Sequence, residues 1–89
     1  MTNIEKIIQV LNTLELPTLI EHISIIELAE TKNASNSVVK DHELRQMFNV
    51  YNLYYTTRES GLFCGSCRNR VLKGLLFLKP YLLEYKGSI

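Results

Sequence analysis

Apolar residues recur every three or four positions along most of this chain, and this spacing constrains the fold more than any other feature. It is the spacing of residues that share one face of an α-helix, whereas a half-buried strand requires strict alternation of apolar and polar residues. No segment of the sequence alternates in that way. The pattern therefore predicts an all-α fold, and 89 residues leave room for a single domain, spanning 1–89, with one modest core.

Capping residues and prolines divide the pattern into helices. Thr2 begins a capping box, in which two side chains satisfy free amide groups at a helix start, and residues 18–21 fit a second one. Pro17 should separate the first two helices and Pro80 should end or kink the last, because proline cannot donate the backbone hydrogen bond. The polar residues 31–37 are typical of a loop. We predict a compact bundle with helices at about 3–15, 18–30, 39–55 and 65–79, followed by one short C-terminal turn.

The net charge of +1 indicates no particular partner, but the charge is unevenly distributed. Residues 1–55 carry four basic and seven acidic side chains, a net charge of −3, whereas residues 56–89 carry six basic and two acidic ones, a net charge of +4. Such polarisation favours head-to-tail association or contact with an anion. Alternatively, the two segments fold together and partly neutralise each other.

Hydropathy gives an expectation about location. No window reaches the roughly 18 apolar residues that a membrane span requires, and the N-terminus lacks the basic and apolar regions of a signal peptide. We expect a cytoplasmic protein with no membrane partner, in which the two cysteines are reduced.

Cys64 and Cys67 form the one chemically distinctive motif, a C-x-x-C pair at the predicted start of the last helix. Two thiols at this spacing can bind a metal, form a redox disulfide or pack as small apolar groups. A redox protein of the thioredoxin type places the motif after a strand, and this helical sequence has none. A zinc site needs four ligands, which leaves His22 and His42, or the same cysteines of a second subunit, to complete it. Packed thiols are the favoured interpretation and zinc is the alternative.

Basic residues surround the start of the last helix, namely Arg58, Arg68, Arg70 and Lys73. A helix with such a face can contact phosphates, which supply most sequence-independent affinity for nucleic acid. A solvated face opposite the apolar stripe is the alternative. The connection that precedes this helix is longer than the three or four residues of a helix-turn-helix, which argues against a standard DNA reader.

Tyr51, Tyr54 and Tyr55 lie on the predicted third helix and form either an aromatic protein interface or part of the core. Catalysis is not expected, because the two histidines lie on separate helices without a nucleophile and the four glycines are dispersed. The sequence thus favours a non-enzymatic module that binds a protein partner or itself, with nucleic-acid binding as the alternative.

Two stretches carry a family resemblance: residues 50–54, which read Val-Tyr-Asn-Leu-Tyr, and residues 64–72, which read Cys-Gly-Ser-Cys-Arg-Asn-Arg-Val-Leu. Together they resemble small helical proteins encoded by tailed bacteriophages, especially those infecting Bacteroidetes. In those proteins an aromatic helix and a short loop precede a C-x-[ST]-C motif that opens a basic C-terminal helix. The resemblance covers roughly the last 40 residues. It implies an accessory, packaging or virion-associated role, in the host cytoplasm or the virion, rather than a particular activity.

Overall fold

The computed structural model of the chain describes residues 2–35, 39–62 and 64–88, with the side chains of residues 33–35 outside that description. Within these ranges the chain forms four α-helices and no strand. They are α1 (Asn3–Thr13), α2 (Leu16–Ser35), α3 (Asp41–Tyr55) and α4 (Gly65–Gly87). The predicted all-α bundle of four helices is confirmed.

Local hydrogen bonds fix the beginnings of α1 and α3. The Thr2 hydroxyl accepts the backbone N–H of Glu5 at 3.2 Å, as the capping-box pattern predicts. The backbone N–H of Lys40 donates to the Glu43 carboxylate at 3.0 Å, so α3 begins two residues later than predicted. In both cases a side chain satisfies an amide that the first helical turn leaves without a partner.

The predicted bounds of α2 are wrong at both ends. Pro17 lies inside the first turn of the helix, where its missing N–H costs nothing, and the Glu15 carbonyl accepts the N–H of Leu19 at 3.0 Å. The second predicted capping box is therefore part of the helix rather than its cap. At the other end the helix runs on to Ser35, so most of the predicted loop is helical, and its residues 36 and 37 lie outside the described ranges.

The predicted end of α4 at residue 79 is also wrong. Pro80 lies within a continuous helix of 23 residues that absorbs the predicted short turn. Proline removes one backbone hydrogen bond, the one to the carbonyl of Leu76. Leu78 and Leu82, on either side of the proline, are completely buried, and their packing outweighs the lost bond.

The core lies where α3 and α4 pack against each other and against the other two helices. The most extensive packing is between α2 and α4, and α1 packs mainly on α3. The core residues include Ile7, Leu11, Leu19, Ile23, Ile26, Leu44, Met47, Phe48, Tyr54, Val71, Leu75, Leu78 and Leu82. No helix in the described ranges is long and apolar enough to cross a membrane.

The two oppositely charged segments of the sequence are packed together. Lys79 on α4 forms an ion pair with Glu30 on α2, with 2.8 Å between Nζ and Oε1. This contact supports the alternative in which the segments partly neutralise each other within one molecule.

Candidate functional site

The first turn of α4 places the two cysteine thiols side by side. Cys64 is the N-cap residue, and its Sγ accepts the backbone N–H of Cys67 at 3.3 Å. The Cys67 thiol points at the same sulfur, with 2.7 Å between the two Sγ atoms. Both residues are partly exposed and both are free thiols. We refer to Cys64 and Cys67 as the dithiol pair.

The two thiols of the dithiol pair differ in acidity. Hydrogen bonds from the Cys67 thiol, the Ser66 hydroxyl and the Cys67 backbone lower the pKa of Cys64 to about 7, from an ordinary 9.0. The N-terminal end of the helix dipole favours the same thiolate. The pKa of Cys67 is raised instead, chiefly because its proton is shared with the Cys64 sulfur. Cys64 is therefore the more acidic thiol of the pair, and Cys67 is the hydrogen-bond donor.

The connection between α3 and α4, residues 56–64, is anchored at its centre by Asn52. The Asn52 Oδ1 atom accepts the N–H of Glu59 at 2.9 Å and the Thr57 hydroxyl at 3.0 Å, and its Nδ2 donates to the Glu59 carbonyl at 2.9 Å. Thr56 turns the chain out of α3 with a φ of 53°. We call residues 56–62 of this connection the α3–α4 loop.

Two arginines tie the α3–α4 loop to α4. The Arg68 Nε atom donates to the carbonyl of Leu62, and the Arg70 guanidinium pairs with the Glu59 carboxylate. These bonds explain part of the predicted basic cluster, because Arg68 and Arg70 are used within the chain. Arg58 and Lys73 are exposed. Of the four predicted anion contacts, Arg68 and Arg70 thus form bonds within the chain, although Arg70 is also exposed.

Gly61 brings the α3–α4 loop directly against the dithiol pair. The backbone N–H of Cys64 donates to the Gly61 carbonyl at 3.0 Å. A Cβ atom at position 61 would lie 2.9 Å from the Cys67 sulfur and 3.1 Å from the Cys64 Cβ, closer than side chains normally approach. Only glycine allows the loop to cover Cys67 at this distance. The sequence motif gave no signal of this covering loop.

The structure does not bring the four candidate zinc ligands together within one chain. Nδ1 of His22 lies 2.8 Å from the Tyr54 hydroxyl, in the packing between α2 and α3, and burial lowers the pKa of His22. His42 is exposed at the start of α3. In the described parts of the chain no three His, Cys, Asp or Glu residues come together as a group that could bind a metal. A zinc site shared between two subunits remains a prediction.

The three predicted interface tyrosines do not form one exposed patch. Tyr51 and Tyr54 are buried in the core, as the alternative interpretation held. Tyr55 is half-buried, and its hydroxyl donates to the Gly74 carbonyl at 2.9 Å. Gly74 permits α3 and α4 to approach this closely, because a Cβ atom at this position would meet the Tyr51 ring.

Two residues of α4 continue the aromatic cluster to the surface. The rings of Tyr51 and Tyr55 are 4.6 Å apart, and those of Phe77 and Tyr81 are 5.4 Å apart. Gly74, whose carbonyl accepts the Tyr55 hydroxyl, lies three residues before Phe77 on α4, so the two ring pairs share one face of that helix. Burial is the main reason that the pKa of Tyr55 is raised to about 12. We call these four residues the aromatic row. Phe77, at the outer end of the aromatic row, is 47% exposed. Phe77 is four residues from both Lys73 and Tyr81, and this spacing indicates in the sequence that the three side chains share one helix face.

Comparison with known proteins gave no relative, since no protein family, curated protein or solved structure matches this chain.

Proposed function

We propose that the protein is a non-enzymatic binding module that acts by self-association, with the exposed end of the aromatic row as the contact surface. The observation that carries the proposal is the position of Phe77, an aromatic side chain left nearly half exposed on a packed row of tyrosines. Aromatic residues supported by neighbours dominate the binding energy of protein interfaces. In a symmetric dimer the same surface of each copy would contact its counterpart.

Another large apolar side chain of the same helix is exposed to a similar degree, but it lies on a different side. Leu83 on α4 is 44% exposed. It is 6 residues from Phe77 in the sequence, which places it on a different side of the helix from the aromatic row. Single exposed aliphatic residues are normal on protein surfaces and indicate no function by themselves.

The resemblance to proteins of tailed bacteriophages supports a role in a phage assembly. A small module that associates with copies of itself suits an accessory, packaging or virion-associated protein. We accordingly place it in the host-cell cytoplasm or in the virion.

Phe77→Ala is expected to raise the dissociation constant for self-association about tenfold or more, equivalent to about 1.4 kcal/mol of binding free energy. The loss follows from removing the most exposed ring of the aromatic row. Light scattering after size-exclusion chromatography over a range of protein concentrations measures this constant. Leu83→Ala is the matched control, since it removes an equally exposed side chain from the same helix.

Self-association is excluded if the wild-type chain remains a monomer at sub-millimolar concentration. The position of the contact is excluded if the protein associates but Phe77→Ala and Leu83→Ala weaken it equally. A loss of helical circular dichroism in either variant would show unfolding instead, and Phe77→Leu then serves as the milder change.

Single-stranded nucleic acid is a second candidate ligand, because Lys73 and Arg70 lie on the same exposed face of α4 as Phe77. Proteins that bind single strands without sequence preference combine basic side chains with aromatic rings on which bases stack. Arg70 is already paired with Glu59, which leaves Lys73 as the unshielded charge beside the ring.

Lys73→Gln is expected to weaken binding of a fluorescent single-stranded oligonucleotide and to reduce the slope of log affinity against log salt by about one. Fluorescence anisotropy at several salt concentrations measures both quantities. Lys86→Gln, near the far end of α4, is the control and should change neither. Absence of binding at low salt rules out this candidate.

A further inference from the structure

We propose that the dithiol pair is a reversible redox site, in which Cys64 and Cys67 are joined by thiol–disulfide exchange with a small-molecule disulfide of the glutathione type. The site lies at the N-terminal end of α4 and does not include the aromatic row. The proposal therefore stands or falls independently of self-association.

The geometry favours a bond between these two sulfurs over a bond to any other group. Their Sγ atoms are 2.7 Å apart, and a disulfide joins sulfurs at about 2.05 Å, so bond formation needs only a small shift. Both side chains start from the first turn of one helix, three residues apart, so no movement between helices is required. The disulfide closes a very small loop and leaves the core packing of α4 in place.

The surroundings assign different roles to the two thiols. Hydrogen bonds from the Ser66 hydroxyl and the Cys67 N–H favour the thiolate of Cys64, which is the form that attacks a disulfide. Cys67 holds the shared proton, because its thiol donates to the Cys64 sulfur, and Gly61 of the α3–α4 loop lies close to it. Cys64 is thus the attacking thiol and Cys67 the resolving one.

The exchange proceeds in two displacements. The Cys64 thiolate attacks one sulfur of glutathione disulfide, the S–S bond breaks, and one glutathione leaves as a thiolate that takes up a proton. Cys67 then loses its proton and attacks the Cys64 sulfur, which displaces the second glutathione. In total two cysteine thiols lose two electrons and two protons, and one glutathione disulfide becomes two glutathione thiols.

Inert packing explains the site less well. A structural thiol is surrounded by apolar groups, which raise its pKa and leave it unreactive. Here both residues are partly exposed, although Cys67 also packs against the edge of the core. The Cys64 sulfur has three hydrogen-bond contacts, with the Cys67 thiol, the Cys67 N–H and the Ser66 hydroxyl.

The test equilibrates the whole protein in glutathione buffers of increasing oxidised fraction, followed by acid quenching, alkylation and intact mass measurement. The wild-type chain should lose the mass of two hydrogens and retain no glutathione. Cys67→Ser should retain one glutathione on Cys64, because the resolving thiol is missing. Cys64→Ser should form the adduct at least about tenfold more slowly, since its remaining thiol is mostly protonated near neutral pH.

The pH dependence of alkylation gives a second readout that packing alone does not produce. In Cys67→Ser, alkylation of Cys64 by iodoacetamide should reach half its maximal rate below the pH of about 9 that holds for an ordinary cysteine, because the Ser66 hydroxyl and the backbone N–H of residue 67 still donate to its sulfur. Adding Ser66→Ala should move this midpoint upward, because one hydrogen bond to the thiolate is lost. Gly65→Ala is the matched control in the same turn, where a Cβ atom meets nothing within 4 Å.

Three results overturn the proposal. One is a wild-type chain that keeps both thiols throughout the glutathione series. Another is a wild-type chain that accumulates glutathione adducts without losing two hydrogens. The third is stoichiometric zinc in protein purified without a metal-affinity tag, with alkylation blocked until a chelator is added, which would assign the thiols to a shared metal site. The wild-type measurements decide the matter even if a serine variant fails to fold.

Discussion

Gly74→Ala is expected to lower the free energy of unfolding by about 2 kcal/mol, although alanine is the better helix former. A Cβ atom at this position would lie 2.4 Å from Cε2 and 2.7 Å from Cδ2 of the Tyr51 ring. Tyr51 is buried and stacks on Tyr55, whose hydroxyl is bonded to the carbonyl of Gly74 itself. The ring therefore cannot move without disturbing the whole contact between α3 and α4. Urea unfolding followed by circular dichroism measures the change.

Gly65→Ala provides the control for helix propensity. It makes the same chemical change in the same helix, but at a position where the new methyl group meets nothing within 4 Å. It should leave stability unchanged or raise it by less than about 1 kcal/mol. The double variant Gly74→Ala, Tyr51→Ala should lose less than the sum of the two single changes, because the clash disappears with the ring. Equal stability of the Gly74 and Gly65 variants would refute the close contact.

Tyr54→Phe is expected to cost about 1–3 kcal/mol of stability, because it leaves Nδ1 of His22 without its hydrogen-bond partner inside the protein. Tyr54 is completely buried and its hydroxyl lies 2.8 Å from that nitrogen, while the two rings meet edge to face. Burial raises the pKa of Tyr54, so the hydroxyl remains protonated. Chemical denaturation at pH 8, where His22 is neutral, isolates the hydrogen bond. Tyr85→Phe, which removes an exposed hydroxyl 3.4 Å from Asn12, should change stability by less than about 0.5 kcal/mol.

The same histidine makes stability depend on pH. Burial lowers the pKa of His22 below its ordinary 6.5, so the unfolded chain binds a proton more readily than the folded one. The contribution of buried, neutral His22 to the free energy of unfolding is complete above about pH 6.5. It is lost as the pH falls from there toward the lowered pKa of His22 in the folded state. His22→Gln should flatten this part of the stability profile, whereas His42→Gln, at an exposed position, should leave it unchanged. A wild-type profile that is flat between pH 7 and pH 5 would contradict the burial of His22.

Short-range chemistry explains which parts of the fold were predictable from sequence. The fold class and the start of α1 follow from helical periodicity and from one capping side chain, both of which act within a few residues. The end of α4 does not, because Pro80 weakens the helix locally while Leu78 and Leu82 are fixed by contacts with distant helices. The C-terminal extension of α2 was not predictable either, because the local preferences there are weak. Turn-forming residues such as Asn33 differ from good helix formers by only a fraction of a kcal/mol each, about 0.7 at most, so they predict a loop only weakly.

The candidate site likewise has features that were predictable from the local sequence and features that were not. The C-x-x-C motif and its place at a helix start are visible in the sequence, since both depend on four consecutive residues. The covering Gly61 and the exposed Phe77 of the aromatic row depend on contacts across the α3–α4 packing. The burial of His22, Tyr51 and Tyr54 was not predictable, because a sequence pattern gives the helix but not the depth at which each of its faces is buried.

The anchoring of the α3–α4 loop by Asn52 has a practical consequence for protein engineering. Surface connections are normally the preferred places to insert a tag, a reporter domain or a protease site. Here Glu59 is bound on one side to Asn52 and on the other to Arg70, and Gly61 is fitted against the sulfurs. Added residues would separate these contacts and uncover Cys67. A fusion partner is therefore better attached at a terminus, which leaves the dithiol pair in its native setting.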